Sequence, residues 1–231
     1  MRADIPRKAL VFVGLLSDQE PDSAAIAFLQ RFREQEVKLE IVAVGFTGAC
    51  SEEAILAALA RGADRAIRID PAAVDPRAAS LLLAEIARKE KPDLVLLGNT
   101  DLSEPASQIG PRIASILGWP HVGGVYDLEI TEKKCEVVRA IDSLYEQIVM
   151  GLPAVLGIKP AETQPPLLSL YEIVAARTRP IKRVKASSLG SVSPPGFTVL
   201  KSEPAANRRK GRMVANVDEL VVALRNEAHV I

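Results

Sequence analysis

The chain has 231 residues, 29 Lys and Arg against 29 Asp and Glu, and so a formal charge of zero. At 48% hydrophobic and 25% charged it has the mix of a soluble globular protein with ample material for a core; with aromatics at 4%, that core must be aliphatic. Two cysteines (Cys50, Cys135) and two histidines (His121, His229) lie far apart, which excludes zinc-type ligand spacing and leaves a nucleophile-histidine enzyme little beyond His121.

No apolar run reaches the roughly 18 residues of a membrane span. The run Ala9 to Leu16 near the start is too short and too strand-like for a secretory signal. Scattered cysteines suit a reducing compartment, and the expected location is cytoplasmic.

Residues 9–16 (ALVFVGLL) have the length and β-branched content of a buried strand. Ala24, Ala25, Phe28, Leu29 and Phe32 then recur at helical spacing. Residues 39–45 give a second strand ending in Gly45. Ser51 is placed as an N-cap before Glu52 and Glu53, and Gly62 closes that helix. A short strand is expected over 65–69. Asp75-Pro76 opens the next helix, with proline in the first helical position, and Pro92 stops it. Residues 93–98 (DLVLLG) form the most strand-like run, and a loop from Asn99 to Pro105 leads to a helix over about 106–117. Apolar strands alternating with amphipathic helices predict a parallel sheet covered on both faces.

From Val122 the pattern changes to strands at 122–130, 135–141, 145–151 and 154–158, an added antiparallel section. After Pro160 the chain becomes proline-rich and poor in apolar residues, apart from a short helix candidate over 167–176. Between Arg177 and Arg212 stand ten Lys or Arg and one acid, a net of +9, which leaves −9 for the remainder. A last helix begins at Asn216, with Val217, Leu220, Val221 and Leu224 on one face. The expected organisation is a domain over 1–160 and, over 161–231, an arm that cannot form a core alone and needs a surface. The basic stretch lacks interleaved aromatics, so a solvated arm or contact with an acidic partner surface is the reading, rather than nucleic acid.

The strongest local candidate for a ligand site is Gly98 to Gly110. It follows the strongest strand and opens a helix, where backbone N–H groups point at anions. Ser107 and Gln108 could donate to a phosphate, and Gly110 would let a ligand or neighbouring group come close. The plain alternative is a capped helix start with a packing glycine: neither Gly-x-Gly-x-x-Gly nor a P-loop is present, and Glu104 opposes a multiply charged anion. The cysteines read as core or surface residues and His121 as structural.

Several segments in order resemble the beta subunit of electron transfer flavoproteins: Ala57 to Ala66 (AALARGADRA), Lys91 to Gly98 (KPDLVLLG), Gln108 to Ala114 (QIGPRIA), Leu117 to Pro120 (LGWP), Leu152 to Val155 (LPAV) and Val217 to Ala228. The resemblance covers nearly the whole chain. It implies a Rossmann-like (adenine-nucleotide-hydrolase-like) α/β domain, with a C-terminal arm embracing an alpha subunit that holds most of an FAD. The pair would shuttle electrons between an acyl-CoA or other dehydrogenase and a quinone reductase or other acceptor. The resemblance also implies a nucleotide on the beta chain, AMP or a second FAD, with cofactor-binding positions at Gly45, Gly98, Ser103, Ser107, Gln108, Ile109 and Gly110. The Gln-Ile-Gly-Pro wording is similar to the bifurcating branch. Residues 164–170 (QPPLLSL) correspond to the family's partner-recognition segment, which makes Leu167, Leu168 and Leu170 the partner-binding candidates and Leu170 the anchor.

Departures accompany the match. Ser103-Glu104-Pro105-Ala106 replaces the usual phosphate loop, Phe12 and Phe46 stand at positions near the family's adenine, and an excursion after the first strand is missing. Phe12, Phe46 and Pro105 are expected to fill part of the nucleotide pocket. From a different class, the rival is a homodimeric nucleotide-binding regulatory or stress-type α/β protein. A hydrolase or ligase of the same broad fold lacks a catalytic constellation, so neither catalytic residues nor a metal site is expected.

Overall fold

A computed structural model describes residues 8–13, 22–34, 38–47, 52–70, 75–98, 105–131, 134–141, 144–159, 167–190, 200–201 and 213–230. The chain divides into two compact units, Met1–Phe197 and Thr198–Ile231.

The first unit is built on alternating elements: β1 (Lys8–Phe12), α1 (Asp22–Glu34), β2 (Glu40–Phe46), α2 (Glu52–Ala60), β3 (Arg65–Asp70), α3 (Pro76–Glu90), β4 (Leu94–Gly98) and α4 (Ile109–Leu117). Then follow β5 (His121–Ile130), β6 (Lys134–Ile141), β7 (Leu144–Gly151), β8 (Ala154–Ile158), α5 (Leu170–Ala176) and β9 (Ile181–Lys185). The nine strands among the described residues join one sheet in the order β7-β6-β5-β8-β4-β1-β2-β3-β9. Every neighbouring pair is parallel except β5 with β6 and β6 with β7. The expected mixed sheet of a Rossmann-like α/β fold is therefore present, and β6 alone runs against the rest.

The two faces follow from strand alternation. Ala9 and Val11 of β1 and Ile41 and Ala43 of β2 meet Ile26, Leu29, Ile55 and Leu59 from α1 and α2. Leu10, Phe12, Val42, Val44 and Phe46 turn the other way, onto Leu82, Leu83, Ile109 and Ile113 from α3 and α4. Because both faces are covered, the central strands read as continuous apolar runs.

Local chemistry fixes the element ends. Asp75 caps α3, its Oδ1 accepting from the Ala78 N–H at 2.7 Å, with Pro76 in the first turn. Gly62, at φ +114°, closes α2 in the left-handed region that glycine tolerates. Gln30 and Arg33 of α1 donate to the carbonyls of Arg61 and Gly62, at 3.1 and 3.0 Å, which ties α1 to that turn. At the amino ends of the strands, Arg65 binds Glu40 (2.7 Å) and Glu90 (2.6 Å), and Lys8 binds Glu90 (3.1 Å) and Glu40 (3.5 Å).

The sequence did not announce β9. Only Ile181 and Val184 of its five residues are apolar, yet it pairs in parallel with β3, from Ala66 opposite Ile181 to Asp70 opposite Lys185. In the second unit, α6 (Val217–Asn226) starts at Asn216, whose Oδ1 accepts from the Glu219 N–H at 2.9 Å. None of its residues is buried.

Candidate functional site

From β1 the chain places β2 and β3 on one side and β4 on the other. That reversal is where an open α/β sheet leaves a crevice beyond its strand ends. Phe12 ends β1 opposite Leu97 of β4, Phe46 ends β2, and Gly98 ends β4 beside Ile158. A 3-10 turn, Pro105–Gln108, and the start of α4 come next among the described residues.

Of the residues picked from the sequence, Gly45 is buried in β2, one step before Phe46, and Gly98 is half-buried. Ser103 lies outside the described residues. Ser107 is half-buried and Gln108 exposed, and Gln108 Oε1 accepts from Arg112 Nη2 at 3.4 Å. Ile109 and Gly110 open α4, and both are buried. Gln108 makes no side-chain cap to the helix, so the first N–H groups of α4 have no side-chain acceptor from it.

Gly110 has a close neighbour. A Cβ there would lie 2.9 Å from His121 Nε2 and 3.4 Å from Leu97 Cδ1. The missing side chain thus admits the imidazole at the head of β5. His121 Nε2 is buried without a hydrogen-bond partner. Burial first, and Arg139 second, hold the His121 pKa below its ordinary value, so the ring is neutral at pH 7. Sequence reasoning judged His121 and Gly110 separately and missed that they meet.

α4 continues directly from the 3-10 turn, with Gln108 already in helical conformation. The seat of a base is another matter. Phe12 and Phe46 are both 0% exposed and turn their rings into the core with Leu97 and Ile109. At the ends of β1 and β2 these side chains offer neither an open aromatic face nor a polar atom. Among the described residues, Phe12 and Phe46 offer no seat for a base.

A second surface stands on α5. Ser169 caps it: Ser169 Oγ accepts from the Glu172 N–H (3.3 Å), and Glu172 Oε2 accepts from the Ser169 N–H (2.7 Å), a closed capping box. Leu168 packs on the core and Ala176 is buried. Beyond the helix, Arg179 donates to the carbonyls of Leu59 (2.9 Å) and Ala63, fastening the segment to the end of α2. Leu167, Leu170, Tyr171 and Val174 all point to solvent, Leu167 at 99% and Leu170 at 77% exposure. Leu170, Tyr171 and Val174 share one stripe of α5, and Leu167 stands two residues before its cap; helical spacing in the sequence reveals Tyr171 and Val174 beside the leucines already singled out.

The description "Electron transfer flavoprotein domain" belongs to the family model that matches residues 20–189. The chain belongs to the electron transfer flavoprotein family. It is similar to the electron transfer flavoprotein subunit beta of Bradyrhizobium diazoefficiens, 30% identical over 91% of this chain and 85% of that one. It is also similar to the subunit of the same name from Sus scrofa, 31% identical over 97% and 91%. The mitochondrial subunit beta of Arabidopsis thaliana is 30% identical over 87% and 81%. Within the electron transfer flavoprotein family this is a beta-subunit chain, and flavin chemistry comes with the family. Among the described residues no helix is long and apolar enough to cross a membrane, and no group of three His, Cys, Asp or Glu could hold a metal ion.

Proposed function

We propose that this chain is the beta half of a two-subunit electron transfer flavoprotein, paired with an alpha subunit that holds most of an FAD. The complex takes electrons from an acyl-CoA or other dehydrogenase and passes them to a quinone reductase or other acceptor. When bound, the flavin supplies the redox step, and protein side chains bind, orient and shield it. The observation that carries this reading is α5: an apolar stripe left in solvent, on a helix capped at one end and tied down beyond the other. Such a rigid display loses little entropy on docking. Leu170 is the anchor, Leu167 flanks it, and Leu168 holds the segment to the body. The arm and α6 embrace the alpha subunit, and the proposed compartment is the cytoplasm.

Gly45, Gly98, Ser103, Ser107, Gln108, Ile109 and Gly110 border what remains of the family's nucleotide shelf on the beta chain. With Phe12 and Phe46 turned inward and His121 filling the space at Gly110, that shelf holds neither AMP nor a second FAD. Co-expression with an alpha subunit, followed by mass measurement, an absorbance spectrum and adenine quantitation, tests both statements. The expected product is a yellow heterodimer with one FAD and no further adenine. A colourless homodimer would overturn the functional reading in favour of a regulatory nucleotide-binding protein. A second equivalent of adenine would overturn only the empty shelf.

A further inference from the structure

Among the described residues, two buried side-chain polar atoms have no hydrogen-bond partner, Thr47 Oγ1 and His121 Nε2. The threonine hydroxyl does not titrate. The imidazole does, and the ring as a whole is only half-buried, so a proton reaches it from solvent while the sheet stays folded.

Contacts between distant elements make the seat of this ring. His121 opens β5 opposite Val155 of β8. Its Nε2 stands against Gly110 of α4, at a place that Leu97 of β4 also borders. The charges on the surrounding elements offer it no counter-ion. On β6, Arg139 is bound to Glu146 of β7 at 2.7 Å, and its charge opposes a second cation. On α4, Arg112 is exposed and donates to Gln108. β4 and β8 present Leu97 and Val155, both buried and apolar. On β5 itself, Asp127 is paired with Arg31 at 3.3 Å, while Glu129 and its neighbour across the strands, Glu136, stand at the far end.

A neutral ring tolerates this seat, because Nε2 can face Gly110 as an unpaired acceptor. A protonated ring carries an N–H on both nitrogens. Nε2 then becomes a buried, charged donor with no acceptor, the most costly kind of unpaired group.

We propose that His121 is a proton-sensitive latch on the first turn of α4. Neutral, it seats that turn on β5; protonated, it leaves the seat for water, and the turn and the 3-10 segment before it loosen. Burial, with Arg139 second, lowers the His121 pKa, so the latch is closed at pH 7. A histidine lowered in the folded state contributes stability above its unfolded value of about 6.5, and that contribution is lost as pH falls through the folded value. The Glu90 carboxylate, held below 4.5, titrates outside this window. The latch lies wholly within the chain and needs neither a flavin nor a partner subunit. A ring present only to fill space would predict no response to acid.

The test uses the full-length chain as it purifies from co-expression with an alpha subunit. Backbone hydrogen exchange of peptides covering residues 105–117, corrected for the intrinsic effect of pH, is compared at about pH 7.5 and about pH 5, on either side of the ordinary histidine value. Exchange in these peptides should rise by about fivefold or more in acid, while peptides from the central strands β1, β2 and β4 stay protected. His121→Gln cannot take up the proton and should abolish the rise, with circular dichroism showing that it is folded. In the wild type, the imidazole titration followed by nuclear magnetic resonance should have the same midpoint as the rise in exchange. His229→Gln leaves a single histidine signal and so assigns it without disturbing the seat.

Exchange that ignores pH in the wild type would overturn the proposal. So would a rise that persists in His121→Gln, which assigns the acid effect to another group. A ring that titrates at or above the ordinary histidine value, or with a midpoint apart from that of exchange, would do the same, and this measurement decides the matter even where His121→Gln does not fold. A uniform rise that includes the central strands marks global unfolding and also overturns the latch.

Discussion

Gly110 and His121 occupy one small volume, and the consequence is measurable. Gly110→Ala places a methyl group 2.9 Å from His121 Nε2, so the ring must shift within a packed setting. Overpacking of this kind costs about 1–3 kcal/mol, and the lower end is expected because a ring tip can give more readily than backbone. In a His121→Ala background the added cost of Gly110→Ala should nearly vanish, which a thermal-denaturation double-mutant cycle reads directly. Equal penalties in both backgrounds would show that His121 is not the obstacle. Cys135 is the opposite case, a residue with nothing to do chemically. It is buried in the core, and burial pushes its thiol up to about 11, so almost none is thiolate at pH 7 and thiol reagents should leave Cys135 of the folded protein unmodified.

Among the elements, the amino ends of β1, β2 and β3 are joined to the end of α3 through Glu90. Burial alone would raise the Glu90 pKa. Hydrogen bonds from Arg65 and Lys8, with their charges, outweigh it and hold the carboxylate below its ordinary value of 4.5. A carboxylate lowered in the folded state contributes stability above its unfolded pKa and loses that contribution as pH falls through the folded one. Wild-type stability should therefore decline as pH drops below about 4.5. In Glu90→Gln this component should be absent and stability at pH 7 lower by about 2 kcal/mol. A Glu90→Gln protein with the wild-type acid profile would remove Glu90 from the cause.

α5 poses a different question, since the role proposed for it is in binding. Ser169→Ala opens the capping box, at a cost of about 1 kcal/mol to the helix. It should weaken electron transfer to the partner in the same direction as Leu170→Ala, though by less, because the anchor is still present and only its display is loosened. Neither change should loosen the heterodimer, whose dissociation can be followed by analytical ultracentrifugation. A subunit dissociation constant raised along with the loss of transfer would place α5 at the subunit contact instead.

Taken whole, the molecule divides its labour between a covered sheet and surfaces left for other chains. The formal charge of zero conceals a net +9 between Arg177 and Arg212. Part of that charge stands in β9 on the rim of the sheet. Apolar residues also remain in solvent on α6, where Val217 and Val222 are 72% and 55% exposed. A chain with such faces is half of an assembly.

The sequence by itself determined the alternation of strands and helices, the helix starts at Asp75 and Asn216, and the turn to antiparallel pairing after Val122. These are local matters, written in hydrophobic period and capping chemistry over a few residues. It also carried the ordered segments by which the family is recognised. Tertiary structure alone decided three things. β9 joins the sheet although Ile181-Lys182-Arg183-Val184-Lys185 looks like a charged linker, because an edge strand needs only two apolar contacts and one paired side. Phe12 and Phe46 turn inward, because strand register assigns them to the face covered by α3 and α4. His121 meets Gly110, because β5 returns beside β8 and under the start of α4. Each depends on a contact between residues far apart in the chain, and local periodicity holds no record of such contacts.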